Sequence, residues 1–347
     1  MKVALLGLPQ SGKKTFFFLL TGRKVSPGVR KEEEALEGIA PIRDQRVDVL
    51  AGIFKPEKTK YAENAIVLCP DIDPKSADAG RAWLENARKC DMICFLIREF
   101  SSAEIYHPLG SVDANRDRNN LETEIAIADL EMIEKRLERI AKEKKSGQNP
   151  AQVEEEKTLL KIKEKVEKDM HFPPDTLGKQ ELDSIKSLNL LTLKPLVFAY
   201  NVNEDSLAKQ PKKDDRSLVI SCRIEEEIMA LNKEDRQIYL KDLGVSSSGL
   251  DRLNQTIYDS LGLMSFYTVG PDEVRAWTIR KGATAPEAAG KIHSDIERGF
   301  IRAEIIKYDD LVAAGSEAAV KAQGKTQLKG RDYVIQDGDI CHFRFNV

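Results

Sequence analysis

The stretch that decides the fold is the first twenty residues, "MKVALLGLPQSGKKTFFFLL" (1–20). Val3–Leu6 reads as a short buried strand, Gly7 ends it, and four spacer residues lead to Gly12-Lys13, after which a helix is expected. This is the pattern of a phosphate-binding loop. Gly7 and Gly12 permit the tight path. The backbone N–H groups of Gln10, Ser11, Gly12, Lys13, Lys14 and Thr15 can turn toward phosphate oxygens, and Lys13 adds a point charge for the β- and γ-phosphates. The pattern calls next for Ser or Thr, whose hydroxyl holds magnesium. Here the residue is Lys14, and an ammonium repels the ion. Thr15 has the right hydroxyl but stands about 100° further around a helix.

Downstream, "NAIVLCPDID" (64–73), "CDMICFLIREF" (90–100), "LKPLVFAYNVNE" (193–204) and "SLVISCRIEEE" (217–227) read as further apolar strands. Continuous apolar runs separated by helical stretches predict an α/β sheet covered on both faces, with ligands at the carboxyl ends of its strands. Asp71 is then placed to be the second magnesium anchor. Two arrangements are open: Lys14 faces Asp71 and replaces the ion, or Lys14 turns outward and water fills the gap. "NVNE" (201–204) follows the fourth strand, where GTPases carry Asn-Lys-x-Asp. Asn201 keeps its place, Val202 replaces the Lys and Glu204 the Asp, which weakens a guanine-specific fit. Ser221 and Cys222, after the fifth strand, are where a backbone N–H would touch the base.

At 347 residues, two or three domains are expected. Apolar residues make up 41 % and charged residues 32 %, enough for packed cores beside heavily solvated helices. A net charge of −3 argues against a cationic nucleic-acid wrapper, and nothing points to DNA specificity. Five cysteines and four histidines show no metal-ligand spacing, so reduced thiols are expected. "FFFLL" (16–20) is too brief to span a bilayer and the N-terminus is unlike a signal peptide. A soluble, cytoplasmic monomer without a membrane partner is the expectation.

From Asn119 to about His171 the chain is almost all Glu, Lys, Arg and aliphatics. Leu121, Ile125, Ala128 and Met132 form an apolar seam, and after a slip Ile133, Leu137 and Ile140 resume it. "KSGQNPAQ" (145–152) can reverse the chain, and Val153, Leu159, Ile162 and Val166 give a return helix. An antiparallel hairpin over 119–171, projecting from a sheet domain formed by 1–118 and 172–263, is predicted. From Met264 the segment to 347 reads as a small β-rich module with one or two helices. Its tail "RDYVIQDGDICHFRFNV" (331–347) reads strand, Asp-Gly turn, strand.

Together these pieces resemble the YchF/Obg-like ATPase family. The likeness is strongest in "VGPDEVRAWTIRKGATAPEAAGKIHSDIERGFIRAEIIKYDDL" (269–311) and "KGRDYVIQDGDICHFRFNV" (329–347), which are similar to that family's TGS domain. "FKPEKT" (54–59), "NLETEIAIADLE" (120–131), "LTLKPLVFAYNVNED" (191–205) and "LGVSSSGLDRL" (243–253) extend it over almost the whole chain. The resemblance implies a P-loop G domain, an inserted coiled-coil hairpin and a C-terminal TGS domain. It further implies cytosolic binding and hydrolysis of ATP, preferred over GTP, and association with ribosomes.

The departures are specific. Gln10, Ser11 and Lys14 stand where the family loop has Asn, Val and Ser. Asp73 and Pro74 replace Ala and Gly of its DIAG motif, and Pro74 has no N–H to sense a γ-phosphate. The first-switch segment "VSPGVRKEEEALEG" (25–38) is acidic and lacks Thr. His107, in "IYHPLG" (105–110), sits where the family carries a loop histidine suggested to position the attacking water. The residues by themselves allow a surface histidine there equally well. Two functional readings follow: a slow ATPase or GTPase, or a degenerate G domain acting as an RNA- or protein-binding module. Arg275, Arg280, Lys281, Lys291, Arg298 and Arg302, with Trp277 and Phe300 among them, suit contact with an RNA backbone. Asp272, Glu273, Glu287 and Glu297 balance them on the alternative reading, in which Trp277 is core.

Overall fold

The computed structural model describes residues 1–25, 34–73, 81–144, 149–170, 176–207, 214–245 and 247–346. Pro74, most of the first-switch segment (26–33), the hairpin turn (145–148) and His171 lie outside the described residues. The chain divides into two compact units, Met1–Ile39 with Ala65–Arg252, and Ala40–Asn64 with Leu253–Val347.

In chain order the elements begin β1 (Lys2–Leu6), α1 (Lys13–Thr21), β2 (Leu36–Ile42), α2 (Gln45–Phe54), β3 (Lys58–Lys60), β4 (Ala62–Leu68), α3 (Ala82–Arg88) and β5 (Met92–Arg98). Then come α4 (Ala114–Glu143), α5 (Pro150–Asp169), α6 (Lys179–Ile185), β6 (Leu196–Asn201), β7 (Ser217–Ile220), α7 (Cys222–Ala230), α8 (Lys233–Asp242) and α9 (Gly249–Ser260). The first sheet runs β2-β4-β1-β5-β6-β7. β1 pairs parallel with β4 and β5, β5 with β6, and β6 with β7. Every residue of β5, "MICFLIR", and of β6, "LVFAYN", is buried, as a parallel strand covered on both faces requires. β2 alternates buried and exposed positions at the sheet edge; that amphipathic pattern is why the search for apolar runs missed it. Because the four central pairings are parallel, the ends of β1, β4, β5, β6 and β7 open onto one edge of the sheet, where the candidate site lies.

The helical hairpin begins earlier than the composition suggested and is tied to the sheet. α4 starts at Ala114, with the Asp113 side chain accepting from the N–H of Arg116. Leu121, Ile125 and Ala128 pack into the sheet core, whereas Ala126, Ile133 and Ile140 pack against Leu159, Ile162 and Val166 of α5. Ion pairs set the antiparallel register: Arg136 Nε to Glu155 Oε1 at 2.6 Å, Lys163 Nζ to Glu134 at 2.8 Å, and Lys144 Nζ to Glu156 at 3.2 Å. α5 opens with a capping box between Asn149 and Gln152, and Pro150 occupies its first turn.

The second unit continues with β8 (Leu263–Thr268), β9 (Glu273–Arg280), α10 (Ala285–Ile292), α11 (Ser294–Arg298), β10 (Phe300–Lys307), α12 (Tyr308–Ala314), α13 (Glu317–Ala322), β11 (Gln327–Lys329) and β12 (Asp339–Phe345). Its sheet runs β11-β10-β12-β8-β9-β3. The module therefore carries four short helices after β9, and segment 40–64, assigned from sequence to the first domain, supplies α2 and the edge strand β3, which runs parallel to β9. The expected terminal hairpin does not form. Residues 333–335 instead bond across to 283–285, Tyr333 O accepting from Ala285 N and Ala283 O from Ile335 N. The fully buried Asp339 carboxylate takes the Tyr333 hydroxyl at 2.8 Å and the Gln336 N–H at 2.9 Å. β12 pairs antiparallel with β10 and parallel with β8.

Candidate functional site

The chain leaves β1 at Gly7, where a Cβ would lie 2.5 Å from the Leu96 carbonyl oxygen, so only hydrogen fits. Gln10 takes a left-handed φ of 63°. Gly12, φ 95°, caps α1 without a side chain, leaving the N–H groups of the first turn at the helix's positive end. Lys13 then turns inward. Its side chain is 4 % exposed; Nζ donates to the carbonyls of Cys69 (3.3 Å) and Pro70 (3.2 Å) and pairs with Asp71 Oδ1 at 2.7 Å. Lys14, the next residue around the helix, is exposed, with no carboxylate in ion-pair range among the described residues. The lysine that pairs with Asp71 is Lys13, not Lys14.

Asn201, buried at the end of β6, ties two loops together. Its Nδ2 donates to Ser11 O at 3.1 Å, and its Oδ1 accepts from the Cys222 N–H at 3.0 Å. The fit is close: a Cβ on Gly12 would stand 2.7 Å from Asn201 Nδ2. Ser221 is buried and caps α7, and Val202 lies in the sheet core. Glu204 stands exposed at the start of the single turn Glu204–Ser206, while Thr15 is half-buried in the first turn of α1. Ser11, Gly12, Asn201 and Cys222 therefore converge, and among the described residues no side-chain hydrogen bond joins Glu204 to them. Burial pushes the Cys222 thiol well up, along with those of Cys90 (to about 11) and Cys94 (to about 12), and all five cysteines are free.

His107 is neither a surface residue nor aimed at the phosphate loop. It is 4 % exposed. Its Nδ1 accepts the Leu109 N–H at 3.2 Å, and its Nε2 lies 2.9 Å from Asp117 Oδ2, so both ring nitrogens are spent. The draw is Asp117, a buried carboxylate that also takes Arg116 Nη2 at 2.8 Å. The sequence reading missed Arg98. Its buried guanidinium donates to the carbonyls of Phe100 (3.2 Å), Ile105 (2.9 Å) and Tyr106 (3.4 Å) and so shapes the loop after β5. The available signal was an arginine ending a wholly apolar strand.

The fold family implies magnesium, and the donors present do not fit it. Magnesium asks for oxygen ligands in near-octahedral array. The position of its first ligand holds an amine, and Asp71 is already paired with Lys13. Among the described residues no three His, Cys, Asp or Glu side chains gather to hold a metal.

In the C-terminal module Phe300 is core, 4 % exposed, and so is withdrawn from the basic surface. Trp277 is half-buried; its Nε1 donates to Thr268 Oγ1 at 2.9 Å and the Arg275 guanidinium covers its ring at 4.0 Å. Arg298 pairs with Asp295. Arg280, Lys281, Lys291 and Arg302 remain exposed.

Residues 263–346 match the YchF-GTPase_C family model, described as a protein of unknown function (DUF933). The chain is 37 % identical to the ribosome-binding ATPase YchF of Bacillus subtilis, with all of both chains covered. It is 36 % identical to Obg-like ATPase 1 of Rattus norvegicus, covering 100 % of this chain and 93 % of that one. The solved structure of the Schizosaccharomyces pombe YchF GTPase superposes with a TM-score of 0.83 at 32 % identity, over 99 % of this chain and 97 % of the other. The architecture is accordingly a P-loop G domain with a C-terminal domain. With the phosphate-loop geometry on a parallel sheet and identity sustained from end to end, the chain belongs to the YchF family.

Proposed function

We propose that the chain is a cytoplasmic, monomeric nucleotide-binding protein that takes ATP or GTP on the loop Gly7–Thr15, associates with the ribosome and hydrolyses its nucleotide slowly. The observation that carries the reading is the buried Lys13 ammonium at the positive end of α1, beside a loop whose turns at Gly7 and Gly12 leave no room for a Cβ. The names of the relatives, ribosome-binding ATPase and Obg-like ATPase, support both the ligand and the partner. Among the described residues no helix is long and apolar enough to cross a membrane. Slow hydrolysis follows from His107, which has no ring nitrogen left to orient water, and from Lys14 in place of a magnesium ligand. The same two observations favour a second reading, a binding module that retains nucleotide without turnover.

Single-turnover hydrolysis with purified protein separates the two. A rate at or below about 10⁻³ s⁻¹, the order of an unassisted GTPase, is expected. A rate near 1 s⁻¹ would refute impairment, and no detectable turnover would favour the second reading. Lys13→Ala should weaken nucleotide binding about 10- to 100-fold, since it removes one charged hydrogen bond to phosphate.

A further inference from the structure

Resting on the nucleotide reading above, we propose that the site binds the phosphate chain as a metal-free anion. Lys13 and Lys14 supply the positive charge that a divalent cation would otherwise bring, and Asp71 competes with the phosphates for Lys13.

Among the described residues the Lys13 ammonium, with its three N–H donors, meets two backbone carbonyls at 3.2–3.3 Å and the Asp71 carboxylate at 2.7 Å. A phosphate approaching Lys13 must displace one of them. The carbonyls are fixed at the end of β4, whereas the Asp71 side chain is 45 % exposed and can rotate away. Once displaced, that carboxylate stands beside the incoming anion and needs a cation. In a magnesium-dependent loop the metal supplies it. Here the residue at the metal-ligand position carries its own ammonium, exposed and without an ion-pair partner among the described residues. A dication brought to the same place would be repelled by that charge. The phosphate chain and Asp71 thus exchange places at Lys13, and Lys14 balances the charge on both.

Calorimetric titration of the full chain with ADP and with a non-hydrolysable ATP analogue, in excess magnesium and in EDTA, tests this. The wild-type dissociation constant should differ less than about twofold between the two conditions. Lys14→Ser should bind about tenfold more weakly in EDTA and recover in magnesium. Lys14→Gln, which keeps the length but brings neither charge nor a hydroxyl, should be weaker in both. Asp71→Asn removes the competitor and should bind severalfold more tightly in EDTA. Loss of tenfold or more by the wild type in EDTA, or weaker binding by Asp71→Asn, would overturn the proposal while leaving nucleotide binding intact. Absence of wild-type binding in both conditions would overturn the nucleotide reading itself. Lys14 and Asp71 lie at the surface, so matching thermal melts will show that each variant is folded.

Discussion

Gln10 holds a φ of 63°, a conformation that costs a residue with a Cβ and is tolerated best by Gly and Asn. The loop keeps it because the amides that follow must turn inward. Gln10→Gly removes a left-handed penalty of about 1–2 kcal/mol but adds an entropic cost of about 0.5–1 kcal/mol in the freer unfolded chain, so it should raise stability by about 0.5 kcal/mol net. Urea denaturation will show the gain as a higher midpoint with an unchanged slope. Lys13 and Lys14 make the complementary point. Their spacing is legible in the sequence, but which of them faces inward depends on the start of α1, and a shift of one residue would have exchanged their roles. His107 was illegible for a similar reason. Its polar loop looks solvated in one dimension, and its burial depends on Asp117, ten residues on and at the start of another element.

Among the elements, α4 shows how far periodicity carries. The apolar seam is visible in the sequence, but the exchange of the sheet core for α5 comes before its slip, since Ala126, Leu130 and Met132 already pack in the α4–α5 core. Ile162 is fully buried at the α4–α5 contact. Ile162→Ala should cost about 2–4 kcal/mol through lost burial and the cavity left behind. Hydrogen exchange should locate the loosening in residues 126–140 and 159–166 and leave the amides of β5 and β6 as protected as in the wild type. β12 shows where periodicity fails. Two strand-like runs around Asp-Gly predict a hairpin, yet the backbone of 333–335 finds partners at 283–285 and the Asp339 carboxylate takes the Gln336 N–H. Local propensity lost to hydrogen bonds between distant residues.

Across the whole molecule, the assignment of 40–64 to the second unit rests on contacts that no local pattern announces. Asp44 accepts the Tyr267 hydroxyl at 2.5 Å, Arg46 pairs with Asp337 at 2.7 Å, and Asp337 also takes the Ser265 N–H at 3.0 Å. The first two of these join residues more than two hundred positions apart in the chain, and the first satisfies the hydroxyl of the buried Tyr267. The exposed cations Arg280, Lys281, Lys291 and Arg302 belong to this unit. If they meet ribosomal RNA, co-sedimentation with ribosomes should weaken as salt rises, with log–log slope steepening by about 0.7 for each phosphate contacted. The double charge reversal Arg280→Glu with Lys281→Glu should lower affinity about tenfold and flatten the slope by the equivalent of two contacts. Binding indifferent to both salt and charge would remove the RNA contact.

The sequence alone determined the parallel α/β sheet, the phosphate loop and the return helix of the hairpin. Each of these is written in residues close together in the chain, where hydrophobic period and glycine placement act directly. The tertiary structure decided which lysine meets Asp71, what His107 and Arg98 hold, and which unit owns 40–64. Those outcomes turn on polar groups finding partners outside their own helix or strand, and that satisfaction exists only once the chain has closed on itself.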